Sequence, residues 1–195
     1  MDILLKNVRP LLVLAIIAII CSGVWAQDPT EKSDPATPNQ AEDRSSKAAT
    51  SDQSFLTEAV AGGLAEVELG QLAAEKSSNP EVKKFAERMV TDHGKANDQL
   101  KQIAAQKGID LPTEPSATHK ATKERLSKLS GNEFDKAYMS NMLSDHKKDV
   151  AAFRKESTEG KDPELKEFAT KTLPTLEDHL KEAESISPKS SAANR

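Results

Sequence analysis

The feature that most constrains the fold is a helical repeat of apolar residues between Asp52 and Ile186, which restarts twice at the same signal. The segments 79–81 (Asn-Pro-Glu) and 162–164 (Asp-Pro-Glu) each combine a capping side chain, a proline suited to the first helical position and an acidic residue. No segment of the sequence alternates as a strand between hairpin turns. The chain is therefore predicted to be all-α.

Four helical regions follow from this pattern. The first covers about 54–77, the second runs from Pro80 to Lys107 and stops at Gly108, the third covers about 118–158 with a break near Gly131, and the fourth runs from Pro163 to Ile186. Short loops join the first to the second and the third to the fourth, which favours two antiparallel hairpins. The sequence thus predicts a four-helix bundle.

An internal repeat supports two similar hairpins. Residues 79–86 match residues 162–169, 83 positions later, in their cap, proline, glutamate, lysine, phenylalanine and alanine. Duplication of one hairpin explains the match, and shared capping rules are the alternative.

The segments that flank this domain have other compositions. Residues 1–26 combine a basic start, the apolar run Leu11–Ile20 and small residues before Ala26, which predicts a signal peptide. The run is short for a membrane span, which needs ~20 residues, although an uncleaved anchor is the alternative. Residues 27–51 contain no large apolar side chain and are predicted to be a disordered linker, as is the tail 187–195.

Charge and cysteine content exclude several functions. The formal net charge of −4 does not fit a nucleic-acid binder. The single cysteine, Cys21, lies within the predicted signal, so neither a disulfide within the chain nor a thiolate metal cluster is expected. The sequence contains no nucleophile elbow and no glycine-rich phosphate loop, and no catalytic residue is assigned.

Three of the four histidines of the domain lie within apolar stripes of their helices. Around His93, His146 and His179, the positions three, four and seven residues away are mostly apolar and share one helix face. Glu66 occupies the corresponding place on the first helix, whereas His119, near the long loop, is predicted to be a surface residue. The four side chains together predict an inward polar ring with one member on each helix.

This ring is a candidate site for one transition-metal ion, because neutral imidazole and carboxylate are ligands of iron, zinc, copper and manganese. Asp92, Asp145 and Asp178 each precede a histidine and are candidates for hydrogen bonding behind the ligands. Two alternatives stay open. The four side chains form a structural polar layer without an ion, or they lie at different levels of the bundle and do not converge.

A larger set of residues carries a resemblance to a known family. These residues are Phe55, Gly62, Gly63, Glu66, Leu69, Gly70 and Ala73, then Val82, Lys83, Phe85, Ala86, Met89, Val90, Asp92 and His93, and later Phe134, Tyr138, His146, Phe168, Ala169, Leu173, Pro174, His179 and Leu180. Over about 54–186 the chain resembles the exported bacterial ferritin-like domain of unknown function, whose members are often labelled predicted outer-membrane proteins.

The resemblance implies a ferritin-like four-helix bundle in the cell envelope, without a settled activity. Ferritin-like di-iron enzymes carry Glu-x-x-His pairs, but Val90 and Leu176 stand three residues before His93 and His179. A mononuclear site is therefore favoured over a di-iron centre. The resulting hypothesis is an exported, non-enzymatic binding or stress-related module of the periplasm or envelope with a protein partner there, and metal binding is the alternative.

Overall fold

The computed structural model describes residues 38–192, which form five helices and no strand. The all-α prediction is therefore confirmed for this part of the chain. The helices are α1 (Pro38–Lys76), α2 (Pro80–Lys107), α3 (Ala117–Ser127), α4 (Gly131–Glu159) and α5 (Pro163–Ala192).

The two repeated start signals begin helices as predicted. The Asn79 side chain accepts a hydrogen bond from the backbone N–H of Glu81 at 2.9 Å, and Asp162 Oδ1 accepts from the N–H groups of Glu164 and Leu165. Gly108 ends α2 in the left-handed conformation, with φ of 65°, which glycine adopts without steric cost.

Several boundaries differ from the prediction. Helix α1 begins at Pro38, so part of the predicted disordered linker is helical, and α5 continues past Ile186 to Ala192. The extension of α1 contains alanine, glutamate and lysine, whose intrinsic propensity favours a helix despite the lack of large apolar residues. The break near Gly131 separates a short extra helix, α3, from α4. The predicted signal peptide and the ends 1–37 and 193–195 lie outside the described residues.

The four long helices pack chiefly as two hairpins, α1 with α2 and α4 with α5. Their core consists of two apolar clusters. The tyrosine cluster contains Phe85, Phe134 and Tyr138, and the phenylalanine cluster contains Phe55, Phe153 and Phe168. Helices α1 and α5 pass from the phenylalanine cluster to the tyrosine cluster, whereas α2 and α4 pass in the reverse direction. The two helices of each hairpin therefore run antiparallel.

None of the helices within residues 38–192 is long and apolar enough to cross a bilayer. The apolar run Leu11–Ile20 is not among the described residues.

Candidate metal centre

Each long helix contributes one buried titratable residue at the boundary between the two apolar clusters. The exposed fractions are 4% for Glu66, 6% for His93, 0% for His146 and 1% for His179. The residues of the clusters that bracket them are Val60 and Leu69 on α1, Met89 and Leu100 on α2, Met142 and Val150 on α4, and Leu176 and Ala183 on α5. The four residues that the sequence singled out therefore form one buried layer.

The three imidazoles converge within this layer. Their ring centroids are 5.3 to 5.5 Å apart, and one nitrogen from each ring lies within 4.8 Å of the other two. His146 Nε2 and His179 Nδ1 are only 3.3 Å apart. The structure thus brings His93, His146 and His179 into mutual reach of one ion.

On each histidine the other ring nitrogen faces a hydrogen-bond acceptor. His93 Nδ1 lies 2.8 Å from Glu66 Oε2, His146 Nδ1 lies 3.0 Å from the carbonyl oxygen of Met142, and His179 Nε2 lies 2.9 Å from Asp92 Oδ2. These acceptors assign the proton to the outward nitrogen of each ring. The unprotonated nitrogens, which are Nε2 of His93 and His146 and Nδ1 of His179, therefore keep lone pairs that can bind an ion at the centre of the cluster.

Burial sets the protonation of these groups. It lowers the pKa of His93 to about 4 and the pKa of His179 to about 3, and it also lowers the pKa of His146. The three imidazoles are therefore neutral at pH 7, which is the form that binds metals. Burial also raises the pKa of Glu66 to about 7, although His146 acts in the opposite direction.

Glu66 does not lie among the three converging nitrogens. Its Oε2 contacts His93 on the outward side, and its Oε1 lies 3.3 Å from His146 Nδ1. That His146 nitrogen donates to Met142, so Glu66 Oε1 is buried without a hydrogen-bond partner among the described residues. Glu66 instead lies close to His146 and Asp149, and potential ligand atoms of these three residues lie within 4.8 Å of one another.

The three aspartates that precede the histidines occupy different environments. Asp92 contacts His179 on another helix rather than its neighbour His93, and Arg88 Nε lies 3.3 Å from its Oδ2. Burial acts to raise the pKa of Asp92, but the hydrogen bonds from His179 and Arg88 outweigh it and hold this pKa below its usual value. Asp145 accepts from Asn141 and pairs with a lysine. Asp178 is exposed, so the structure does not bring it to the cluster.

A cavity of about 340 Å³ opens between α1 and α4 beside this layer. Glu66 and Asp149 line it together with Asp145, and His119 and Glu58 lie along its wall. His119 is half-buried and contacts a serine rather than the histidine cluster. Asp149 was missed by the sequence reasoning, although its position three residues after His146 places it on a neighbouring part of the same face.

The sequence of residues 37–186 matches the domain of unknown function DUF4142. The chain belongs to this family. The expected membership in a family of unknown function is therefore confirmed. Among curated proteins, none matches the DUF4142 chain significantly.

Solved structures share the fold of this DUF4142 domain. A DUF305 protein from Streptomyces coelicolor, named as a secreted protein, is 14% identical with a TM-score of 0.63, covering 73% of this chain and 94% of its own. A DUF305 fragment from Deinococcus radiodurans is 16% identical with a TM-score of 0.64, covering 80% and 99%. CopM in its Cu(II)-bound form is 18% identical with a TM-score of 0.61, covering 71% and 96%. At these identities the likeness concerns the fold alone.

Proposed function

We propose that this protein binds one transition-metal ion through His93, His146 and His179. The observation that carries the proposal is the convergence of three buried, neutral imidazoles whose outward nitrogens already face hydrogen-bond acceptors. Metal-bound histidines have this arrangement, because the outer hydrogen bond fixes the tautomer and the orientation of the ring. Glu66 and Asp92 act in this way here, as acceptors for His93 and His179 rather than as ligands of the ion.

The distance between two of the nitrogens supports the proposal. With the assigned tautomers, His146 Nε2 and His179 Nδ1 direct lone pairs at each other across 3.3 Å, which is repulsive unless a cation lies between them. Two imidazole nitrogens bound to a tetrahedral Zn²⁺ at about 2.0–2.1 Å are separated by about 3.3 Å. The pair therefore already has the spacing that a bound ion requires.

Three imidazoles favour zinc or copper over magnesium or calcium, which prefer oxygen ligands. Solved structures of CopM include forms bound to Cu(II), Cu(I) and Ag, which makes copper a natural ion to test on this related fold. The residues that would hold it here are this chain's own histidines.

The wider role in this proposal is that of an exported, non-enzymatic metal-binding or stress-related module built as a ferritin-like four-helix bundle. The predicted signal at residues 1–26 supports export to the periplasm or cell envelope, and one DUF305 structure of the same fold is named as a secreted protein. The alternative is that an uncleaved N-terminal segment anchors the protein.

Metal analysis tests the proposal directly. Protein purified without a histidine tag, loaded with Zn²⁺ or Cu²⁺ and dialysed, should retain close to one ion per chain. His146→Ala should weaken binding more than about 100-fold, because it removes a central ligand. His119→Ala is the matched control, since His119 lies outside the cluster, and it should bind as the wild type does.

Circular dichroism of both variants checks that helicity is retained. A wild-type protein that keeps no metal would contradict the proposal. If His146→Leu is then also less stable than the wild type, the four residues form a structural polar layer.

A further inference from the structure

Two carboxylates meet at the inner end of the cavity between α1 and α4. Glu66 extends from α1 and Asp149 from α4, and their oxygens lie within 4.8 Å of each other and of a His146 nitrogen. Glu66 is only 4% exposed, and its Oε1 has no hydrogen-bond partner among residues 38–192. The cavity therefore ends at a buried oxygen ligand that the protein itself leaves unused.

The negative charge of this pair is poorly compensated. The groups that face Glu66 are His93 and His146, which burial keeps neutral. Lys148, the lysine that lines the cavity, pairs with Asp145 at 2.9 Å. Burying carboxylates without an opposite charge is costly, and a divalent cation removes this cost.

We propose that Glu66 and Asp149 hold a second divalent cation at the inner end of this cavity, beside His146. We call this the outer site, and the three-histidine cluster the inner site. The outer site extends the proposed function and rests on it only in one respect: His146 lies between the two sites. The donor chemistry of the two sites differs. Carboxylate oxygens favour harder ions such as Mn²⁺, whereas the inner site offers imidazole nitrogens alone.

The cavity supplies access to the outer site. Gly62 forms part of its wall, and a Cβ atom built there would meet no other atom within 4 Å. Alanines of α1 and α4, Ala59, Ala65 and Ala152, line the same wall. Small side chains thus leave a path from solvent to the carboxylates, whereas the three histidines themselves are almost completely buried.

The test fills the inner site first and then measures the outer one. The full chain receives one equivalent of Zn²⁺, which has no electron paramagnetic resonance signal, and is then titrated with Mn²⁺, whose free signal reports the bound fraction. The wild type should bind about one further Mn²⁺ per chain. Asp149→Asn, which preserves shape and removes the charge, should weaken Mn²⁺ binding more than about tenfold while leaving the Zn²⁺ equivalent in place.

A matched control uses another carboxylate of the same cavity. Glu58 is exposed and lies in the wall, so Glu58→Gln should leave the Mn²⁺ affinity within about threefold of the wild type. Circular dichroism excludes unfolding of either variant. The proposal is overturned if the Zn²⁺-loaded wild type binds no Mn²⁺, or if Asp149→Asn titrates like the wild type.

His179→Ala separates this proposal from the preceding one. It should remove Zn²⁺ binding at the inner site and leave Mn²⁺ binding that depends on Asp149. If the wild type binds Mn²⁺ through Asp149 but no Zn²⁺, the outer site stands and the three-histidine site is wrong. If it binds Zn²⁺ but no Mn²⁺, the outer site alone is rejected.

Discussion

At the scale of single residues, Glu156 on α4 shows how a buried carboxyl group lowers stability away from the histidine cluster. It is 5% exposed, and its Oε1 has no hydrogen-bond partner in the described part of the chain. Burial raises its pKa to about 7, and the nearby Asp52 and Asp162 raise it further while Lys155 and Lys166 oppose them. The folded state therefore prefers the protonated form of this side chain.

The stability of the protein should consequently fall as this group ionises. Its pKa is raised relative to the unfolded chain, so its contribution is intact below about pH 4.5 and is lost as the pH rises towards 7. Glu156→Gln stays neutral throughout, so it should match the wild type at pH 4 and exceed its melting temperature by a few degrees at pH 8. Thermal unfolding at the two pH values measures the difference. An equal effect of the substitution at both values would show that Glu156 does not titrate as described.

The candidate site shows what residue patterns can and cannot predict. The face pattern identified Glu66, His93, His146 and His179, because a polar residue inside an apolar stripe has to point inward. It did not identify which residues contact each of these four side chains, because those contacts depend on how far one helix is shifted along another. Asp178 precedes His179 but is exposed, whereas Asp149 was not singled out and lies beside Glu66.

At the scale of elements, Gly70 shows why α1 lies so close to α2, and Gly62 on the same helix provides a contrast. A Cβ atom at Gly70 would be 2.9 Å from the backbone oxygen of Ala86 and 2.9 Å from Val90 Cγ2. At Gly62 the same atom would meet nothing within 4 Å. Packing against α2 therefore requires glycine at Gly70, whereas Gly62 has room for a side chain.

Alanine substitutions at these two positions should have opposite effects. Gly62→Ala should raise the free energy of unfolding by about 0.5–1 kcal/mol, because alanine restricts the unfolded chain and favours the helix. Gly70→Ala gains the same propensity but forces α1 from α2, and should cost about 1–3 kcal/mol. Urea unfolding of the metal-free protein measures both. Stabilisation by Gly70→Ala would mean that the hairpin is not held at this close distance.

The order of the long helices and the starts of α2 and α5 were predictable because local chemistry determines them. Asn79 and Asp162 cap helices with their own side chains, and the following prolines suit the first turn. The extension of α1 back to Pro38 was missed because it depends on intrinsic propensity rather than on an apolar face. The sequence also predicted the break near Gly131, which separates the short helix α3 from α4.

At the scale of the whole molecule, the polar layer is one of the places where the two hairpins meet. Glu66 and His93 belong to the α1–α2 hairpin, whereas His146 and His179 belong to the α4–α5 hairpin. Contacts between the hairpins are much sparser than contacts within them. An ion bound to all three histidines therefore connects two units that otherwise pack less extensively.

Metal binding should accordingly stabilise both hairpins together. A ligand that binds only the folded state adds about 2.7 kcal/mol to the free energy of unfolding when its free concentration is 100 times Kd. Saturating Zn²⁺ should therefore raise the melting temperature of the wild type but leave His93→Ala and His179→Ala, one variant from each hairpin, close to their metal-free values. Amide hydrogen exchange adds the spatial test, because the ion links α2 to α4 and α5 and should slow exchange in both hairpins of the wild type. Slower exchange in the α4–α5 hairpin alone would mean that His146 and His179 bind the ion without His93.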